Sequence, residues 1–146
     1  VVLSMASGLG TREWRIHFFQ RSSSDDSSET VPALVFVESL PARVRAEVHA
    51  VLEAVAKAPP PAFSGGGKWE AMHGDMAGIY EVRVQGGGKN HRVLCLLVRE
   101  APDLGGPSIV CLGGLSKPRR EAAKPKDYRR ILTYRQEFLE HRTVVS

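Results

Sequence analysis

The stretch from Ile79 to Val98 constrains the fold more than any other part of this 146-residue chain. Ile79-Tyr80-Glu81-Val82-Arg83-Val84 and the run from His91 to Val98 are rich in β-branched and apolar residues, and Gly86-Gly87-Gly88 lies between them. Apolar runs bounded by glycine predict two strands joined as a hairpin, with a longer loop at the glycines. Both faces of Val93 to Val98 are apolar, which places this strand at the centre of a sheet covered on both sides, although a buried helical segment shares the pattern. Side chains alternate along a strand, so Arg83 groups with Glu81 and Ile79 against Tyr80, Val82 and Val84. Arginine is costly to bury unless paired. Arg83 and Arg92 therefore mark a polar place on the sheet. One reading is a pair of fixed cations presented to a phosphate; the plainer one is two half-buried arginines held by Glu81.

The flanking sequence supplies the other layers. Trp14 to Phe19 alternates as a half-buried strand. Val31 to Lys57 reads as two helices, about Ala33–Leu40 and Ala42–Lys57, with the break at Pro41. In the second, Val44, Val48, Val51, Leu52 and Val55 fall on one helical stripe. Lys68 to Met72 predicts a short strand, and Ser108 to Leu112 the last one, with Lys117 just beyond its end. Pro125 opens a final helix to about Arg142, where a proline's missing N–H costs least. Its buried stripe is Tyr128, Ile131, Leu132, Phe138 and Leu139, and Arg135 on that stripe predicts a buried ion pair. Arg21–Thr30 is too polar to pack and reads as a mobile loop, Gly65-Gly66-Gly67 as a flexible connector. Residues 1–12 read as a flexible leader and 13–146 as one domain. Helices segregated from a meander of strands give an α+β fold, an antiparallel twisted sheet with two N-terminal helices and one C-terminal helix.

Charge is unevenly placed. Residues 1–114 hold 11 Lys/Arg against 12 Asp/Glu, and residues 115–146 hold 9 against 4. A basic end of this kind suits a polyanion or an acidic protein surface, and equally a solvated basic helix. No run of about 18 apolar residues predicts a membrane span. Cys95 and Cys111 both fall inside predicted strands and read as buried thiols in a reducing cytoplasm. The histidines show no ligand spacing for zinc, so no metal or cofactor is expected.

Several segments together resemble one family. They are Trp14 on the first strand, Val37-Glu38-Ser39-Leu40-Pro41 closing the first helix, Lys68-Trp69, and Gly78-Ile79-Tyr80-Glu81-Val82-Arg83. His91-Arg92-Val93-Leu94, the Leu112–Lys117 strand end, Pro125 and Arg135 complete the set. Over residues 14–142 the chain resembles the HigB-like branch of the RelE/ParE toxin superfamily, phage-derived toxins of type II toxin–antitoxin systems. The family often carries an aromatic residue where this chain has His91, and two lysines where it has Lys117-Pro118.

The resemblance implies a RelE-like fold and a cytoplasmic toxin that cleaves mRNA, usually on the ribosome, without metal, silenced by a helix-turn-helix antitoxin. It adds weight to Arg83 and Arg92 as catalytic phosphate clamps; Lys117, just beyond a strand end, and His91 are further catalytic candidates by placement and residue type, and Lys89, Arg119, Arg120 and Lys124 are candidate RNA contacts. Internal transfer at an RNA phosphate needs a proton taken from the 2′-OH, one given to the 5′-oxygen, and charge stabilisation at phosphorus. Arginines suit the last task, and histidine is the residue type that suits proton transfer near neutral pH, which offers His91 as an acid or base. Tyr128 could donate a hydrogen bond, but its helical stripe favours the core. A ParE-like gyrase inhibitor that leaves RNA intact, or an inactive phage-derived binding protein, would share the same fold.

Overall fold

The computed structural model describes residues 13–58, 60, 63 and 65–146; the expected leader lies outside them. The chain runs through β1 (Arg15–Phe19), α1 (Pro32–Glu38), α2 (Ala42–Lys57), β2 (Trp69–Ala71), β3 (Ile79–Gly86), β4 (Lys89–Val98), β5 (Ser108–Pro118), α3 (Pro125–His141) and β6 (Val144–Val145). The strands form one sheet in the order β2-β3-β4-β5-β1-β6.

The α+β class is as expected, but the sheet is mixed. β1 inserts beside β5 in parallel, Arg15 opposite Ser108 through Phe18 opposite Cys111, while the other neighbours are antiparallel. β5 is not the last strand either: it continues through Gly113-Gly114 to Pro118, and β6 pairs with β1. The glycines extend the strand because side chains press on them from both sides. A Cβ on Gly113 would lie 2.8 Å from Ile131 Cδ1, and one on Gly114 would collide with the Phe36 ring.

The hairpin turn is also tighter than expected. Gly86 pairs with Lys89, leaving only Gly87 and Gly88 in the turn, with φ of 63° and 76°. Two positive φ values match the twist of the flanking strands, and glycine adopts them without a steric cost. Gly86 has a different reason to lack a side chain, since a Cβ there would sit 2.5 Å from Val44 Cγ2 on α2.

Helices cover both faces. On one, the expected α2 stripe Val44, Val48, Val51, Leu52 and Val55 is buried with α1 against Phe18, Val82, Val93, Cys95, Ile109 and Cys111. Each such aliphatic side chain contributes about 1.5–3 kcal/mol on leaving water. On the other, Ile131 and Phe138 of α3 pack on Phe19, Ile79, Leu94, Val110 and Leu112. Leu139 departs from its predicted stripe and is 53% exposed, because Ile131 and Phe138 already set the buried face. Among the described residues Arg135 makes no buried ion pair; it donates to the backbone carbonyls of Ala77 and Asp75 at 3.3 and 3.2 Å, which the turn before β3 presents to α3.

The polar segment Arg21–Thr30 is folded into hydrogen-bonded turns. The Arg21 N–H donates to the Thr30 carbonyl, and the Asp26 carboxylate accepts from the N–H groups of Ser28 and Thr30. Hydrogen bonds from Thr30 hold Asp26 below the usual carboxylate range. Gly65-Gly66-Gly67 forms a short 3-10 turn. Cys95 and Cys111 are free and buried, with sulfurs 3.8 Å apart, and burial pushes the Cys95 thiol well up.

Candidate functional site

The register of β3 and β4 sets Arg83 directly opposite Arg92. Like charges in that relation repel. Glu81, two residues earlier on the same face of β3, offsets the repulsion. Its Oε1 accepts from Arg83 Nε at 2.7 Å and from Arg92 Nη1 at 2.8 Å. Glu81 is fully buried, whereas the Arg92 and Arg83 side chains are 13% and 43% exposed. Two cations thus share one oxygen of one carboxylate. Glu81 Oε2 and Arg92 Nε are buried without hydrogen-bond partners among the described residues. The trio carries a net positive charge, and its Arg83 end is open to solvent.

A second polar row lies beside this one. Gln85 pairs with Asn90, and Asn90 with Lys117 on β5. Alternation puts all three on the face of Arg83 and Arg92. Lys117 was expected beyond a strand end; it lies within β5, half-buried, its Nζ donating to the Glu121 carbonyl at 2.7 Å. A cavity of about 430 Å³ opens where the short β2 leaves the edge of β3 uncovered, lined by Lys68, Arg83, Gln85, Asn90 and Arg92 among others. Lys68 in its wall is paired with Glu47 at 2.8 Å.

His91 is not brought to the arginines. Neighbours on a strand point to opposite faces, and His91 is buried on the side of α2, between Ser116 and Gly86. If Nε2–H donates to the Gly86 carbonyl (3.1 Å), Nδ1 accepts from the Ser116 hydroxyl (2.6 Å). Both ring nitrogens are then engaged. Lys89, at the hairpin end of β4, and Arg119, Arg120 and Lys124, between β5 and α3, are exposed. They border the two polar rows in sequence and strand order without joining the arginine trio.

Tyr128, in the first turns of α3, is partly buried, as its helical stripe predicts. It packs against the α3-side core yet lies close enough to the trio for its charges to act on the phenol. Burial, and then Glu81, raise its pKa; Arg92 and Arg83 pull it down, leaving it above the ordinary tyrosine value. At neutral pH the phenol is therefore a donor.

Another cavity of about 430 Å³ lies by Arg15, His17, Gly105 and Ser146. Its cation is already engaged, since Arg15 Nε donates to the Gly105 carbonyl, and both His17 nitrogens have partners. Among the described residues no group of three or more His, Cys, Asp or Glu is placed to hold a metal ion, and no helix is long and apolar enough to cross a membrane.

No family model matches the chain, and no curated protein does. Among solved structures, the chain is similar to the toxin–antitoxin complex RelBE2 from Mycobacterium tuberculosis, at 17% identity and a TM-score of 0.46, covering 77% of this chain and 98% of that one.

Proposed function

We propose that the chain is a toxin of a type II toxin–antitoxin system and cleaves mRNA on the face that carries Arg83 and Arg92. The observation that carries this reading is two directly opposed guanidiniums sharing one oxygen of a buried carboxylate, beside an open cavity. A cationic excess fixed on a sheet, with unused donors, suits a phosphate that gains charge in the transition state. The resemblance to mRNA-cleaving toxins supports RNA among phosphate-bearing substrates.

In internal transfer the 2′-oxygen bonds to phosphorus and the bond to the 5′-oxygen breaks. Arg83 and Arg92 stabilise the phosphorane oxygens. Tyr128 donates to the departing 5′-oxygen, and the 2′-proton passes to water in the open cavity. Lys117 and the exposed Lys89, Arg119, Arg120 and Lys124 extend the contact along the backbone as point charges. His91 acts here through structure, locking Gly86 and Ser116 across the hairpin end. The partners in this reading are a helix-turn-helix antitoxin and the ribosome, and the setting is the cytoplasm.

The test is induction of the protein followed by primer extension on cellular mRNA. New 5′ ends are expected with the wild type. Arg83→Ala and Arg92→Ala should lower cleavage about 10²–10³-fold, the effect of removing one transition-state donor. Growth arrest with intact mRNA would overturn the nuclease reading, as would undiminished cleavage by both folded variants.

A further inference from the structure

We propose that Cys95 and Cys111 are a reversible redox pair, closing under hydrogen peroxide into a disulfide that pins β4 to β5. The inference is independent of the RNA reading above.

Neither thiol has a part in the arginine site. Both are free and fully buried, in the core on the α1 and α2 side of the sheet. Arg92 stands three residues before Cys95 on β4, so the two side chains point to opposite faces. Cys95 and Cys111 are direct cross-strand partners, and their sulfurs are 3.8 Å apart. Opposed residues of antiparallel strands have Cα atoms about 4.5–5.5 Å apart. A disulfide spans Cα separations of about 4.4–6.8 Å. The backbone is therefore already in place, and side-chain rotation is what brings the sulfurs to bonding distance.

The position on the ladder gives the bond something to do. Leu94 pairs with Gly113 and Cys95 with Cys111, so Leu112 is left over as a bulge on β5. A bulge interrupts the ladder locally. The cysteines are the first pair beyond that interruption, where a covalent tie fixes the register of the two strands. The chain has two cysteines, so the intramolecular product is a single disulfide.

The chemistry needs peroxide as oxidant. One thiolate attacks it, the O–O bond breaks, and a sulfenic acid and hydroxide result. The second thiol then attacks the sulfenic sulfur. The S–O bond breaks, the S–S bond forms, and the oxygen leaves as water. Two thiols and one peroxide give one disulfide and two waters. Burial holds the Cys95 thiol well above its ordinary range, which keeps its thiolate scarce and makes closure slow. The pair therefore answers sustained oxidation and ignores brief exposure.

The test uses the whole native chain, incubated with hydrogen peroxide for hours, quenched, then unfolded and alkylated. Both thiols should be lost to alkylation and both returned by dithiothreitol, with the chain still monomeric on a non-reducing gel. The urea midpoint of the oxidised chain should rise by about 1 M, the shift a disulfide's usual stabilisation gives a small domain. Dithiothreitol should reverse that rise. In Cys111→Ser and Cys95→Ser the sulfenic acid lacks its partner, so a dimedone adduct should form and the midpoint should not rise. Should either variant fail to fold, the wild-type measurements decide alone. Thiols that survive the treatment, a loss that dithiothreitol does not reverse, disulfide-linked dimers, or a midpoint unchanged or lowered by oxidation would each overturn the proposal.

Discussion

Two buried carboxylates meet arginine in this molecule, and they do so in opposite ways. Glu137 on α3 meets Arg21 in a matched fork: Nε donates to Oε1 at 2.9 Å and Nη2 to Oε2 at 2.8 Å. The guanidinium also lies over the Tyr134 ring, 5.3 Å from its centroid, and the hydrogen bond to Glu137 holds it above its ordinary pKa. One charge meets one charge, and both oxygens are used. Glu81 meets two arginines with a single oxygen and leaves the other bare. The first arrangement is a clasp, tying the turn after β1 to the last helix. The second is unfinished by the standard of the first. Leaving a desolvated oxygen and an N–H unmatched costs stability, and local sacrifices of this kind are typical of sites that await a ligand.

The sharpest way to break this comparison is to remove each carboxylate in turn. Glu81→Gln leaves two opposed guanidiniums with no anion between them, and is expected to cost about 3 kcal/mol, as for breaking a buried pair. Glu137→Gln frees one arginine whose side chain is 25% exposed and still stacked on Tyr134, and is expected to cost about 1 kcal/mol. Urea unfolding in sulfate and in chloride at equal ionic strength then separates the sites. Sulfate should recover part of the Glu81→Gln loss by taking the carboxylate's place, with no such recovery for Glu137→Gln. Equal losses and equal sulfate responses would make both sites mere clasps.

A second contrast concerns nucleic acid. Arg83→Ala should weaken binding of single-stranded RNA and lower the slope of log affinity against log salt by about 0.7, one phosphate contact. Arg21→Ala should shift the unfolding midpoint and leave that slope alone. Lys117→Gln is expected to act like Arg83→Ala but more weakly, since the Lys117 ammonium already donates to the Glu121 carbonyl. Lys117→Arg should keep most of the affinity, because a point charge is what the backbone feels. Identical slopes for the wild type and Lys117→Gln would return Lys117 to the ordinary surface lysines.

What the sequence revealed follows the same division between local and distant causes. The α2 stripe and the grouping of Arg83 with Glu81 depend on periods of 3.6 and 2 within one element, and both were legible. That β1 runs parallel to β5 was not, because its partner lies some ninety residues away and no residue of Arg15–Phe19 encodes it. The arginine pair needed the hairpin register, and three consecutive glycines hid it: Gly87 and Gly88 form the turn, while Gly86 is a strand residue kept small by Val44. Gly113-Gly114 misled in the same way, ending β5 on paper and thinning it in fact to admit Phe36 and Ile131. His91 could have been set aside on the sequence alone, since a residue adjacent to Arg92 on one strand faces the other way.

The smallest expected effect is also a direct reading of the charge beside Glu81. Tyr128 is raised by burial first and by Glu81 next, and lowered by Arg92 and Arg83, so its phenol reports the balance of the trio. Because its folded value is raised, the stability it contributes is fully present below the unfolded value of about 10 and is lost as pH rises through the folded value. Ultraviolet difference titration of the wild type against Tyr128→Phe should isolate a late step, above the ordinary tyrosine value, that belongs to Tyr128. Arg83→Ala should delay that step further, and Glu81→Gln should advance it. Sulfate bound at Arg83 adds negative charge near the phenol and should also delay ionisation in the wild type. In Arg83→Ala the sulfate effect should shrink. Arg21→Ala should leave both the late step and its response to sulfate unchanged, since the clasp with Glu137 has no place among the causes acting on Tyr128. A late step indifferent to sulfate and to Arg83 would mean that the excess charge on the hairpin is neutralised by solvent, and that no anion site exists there.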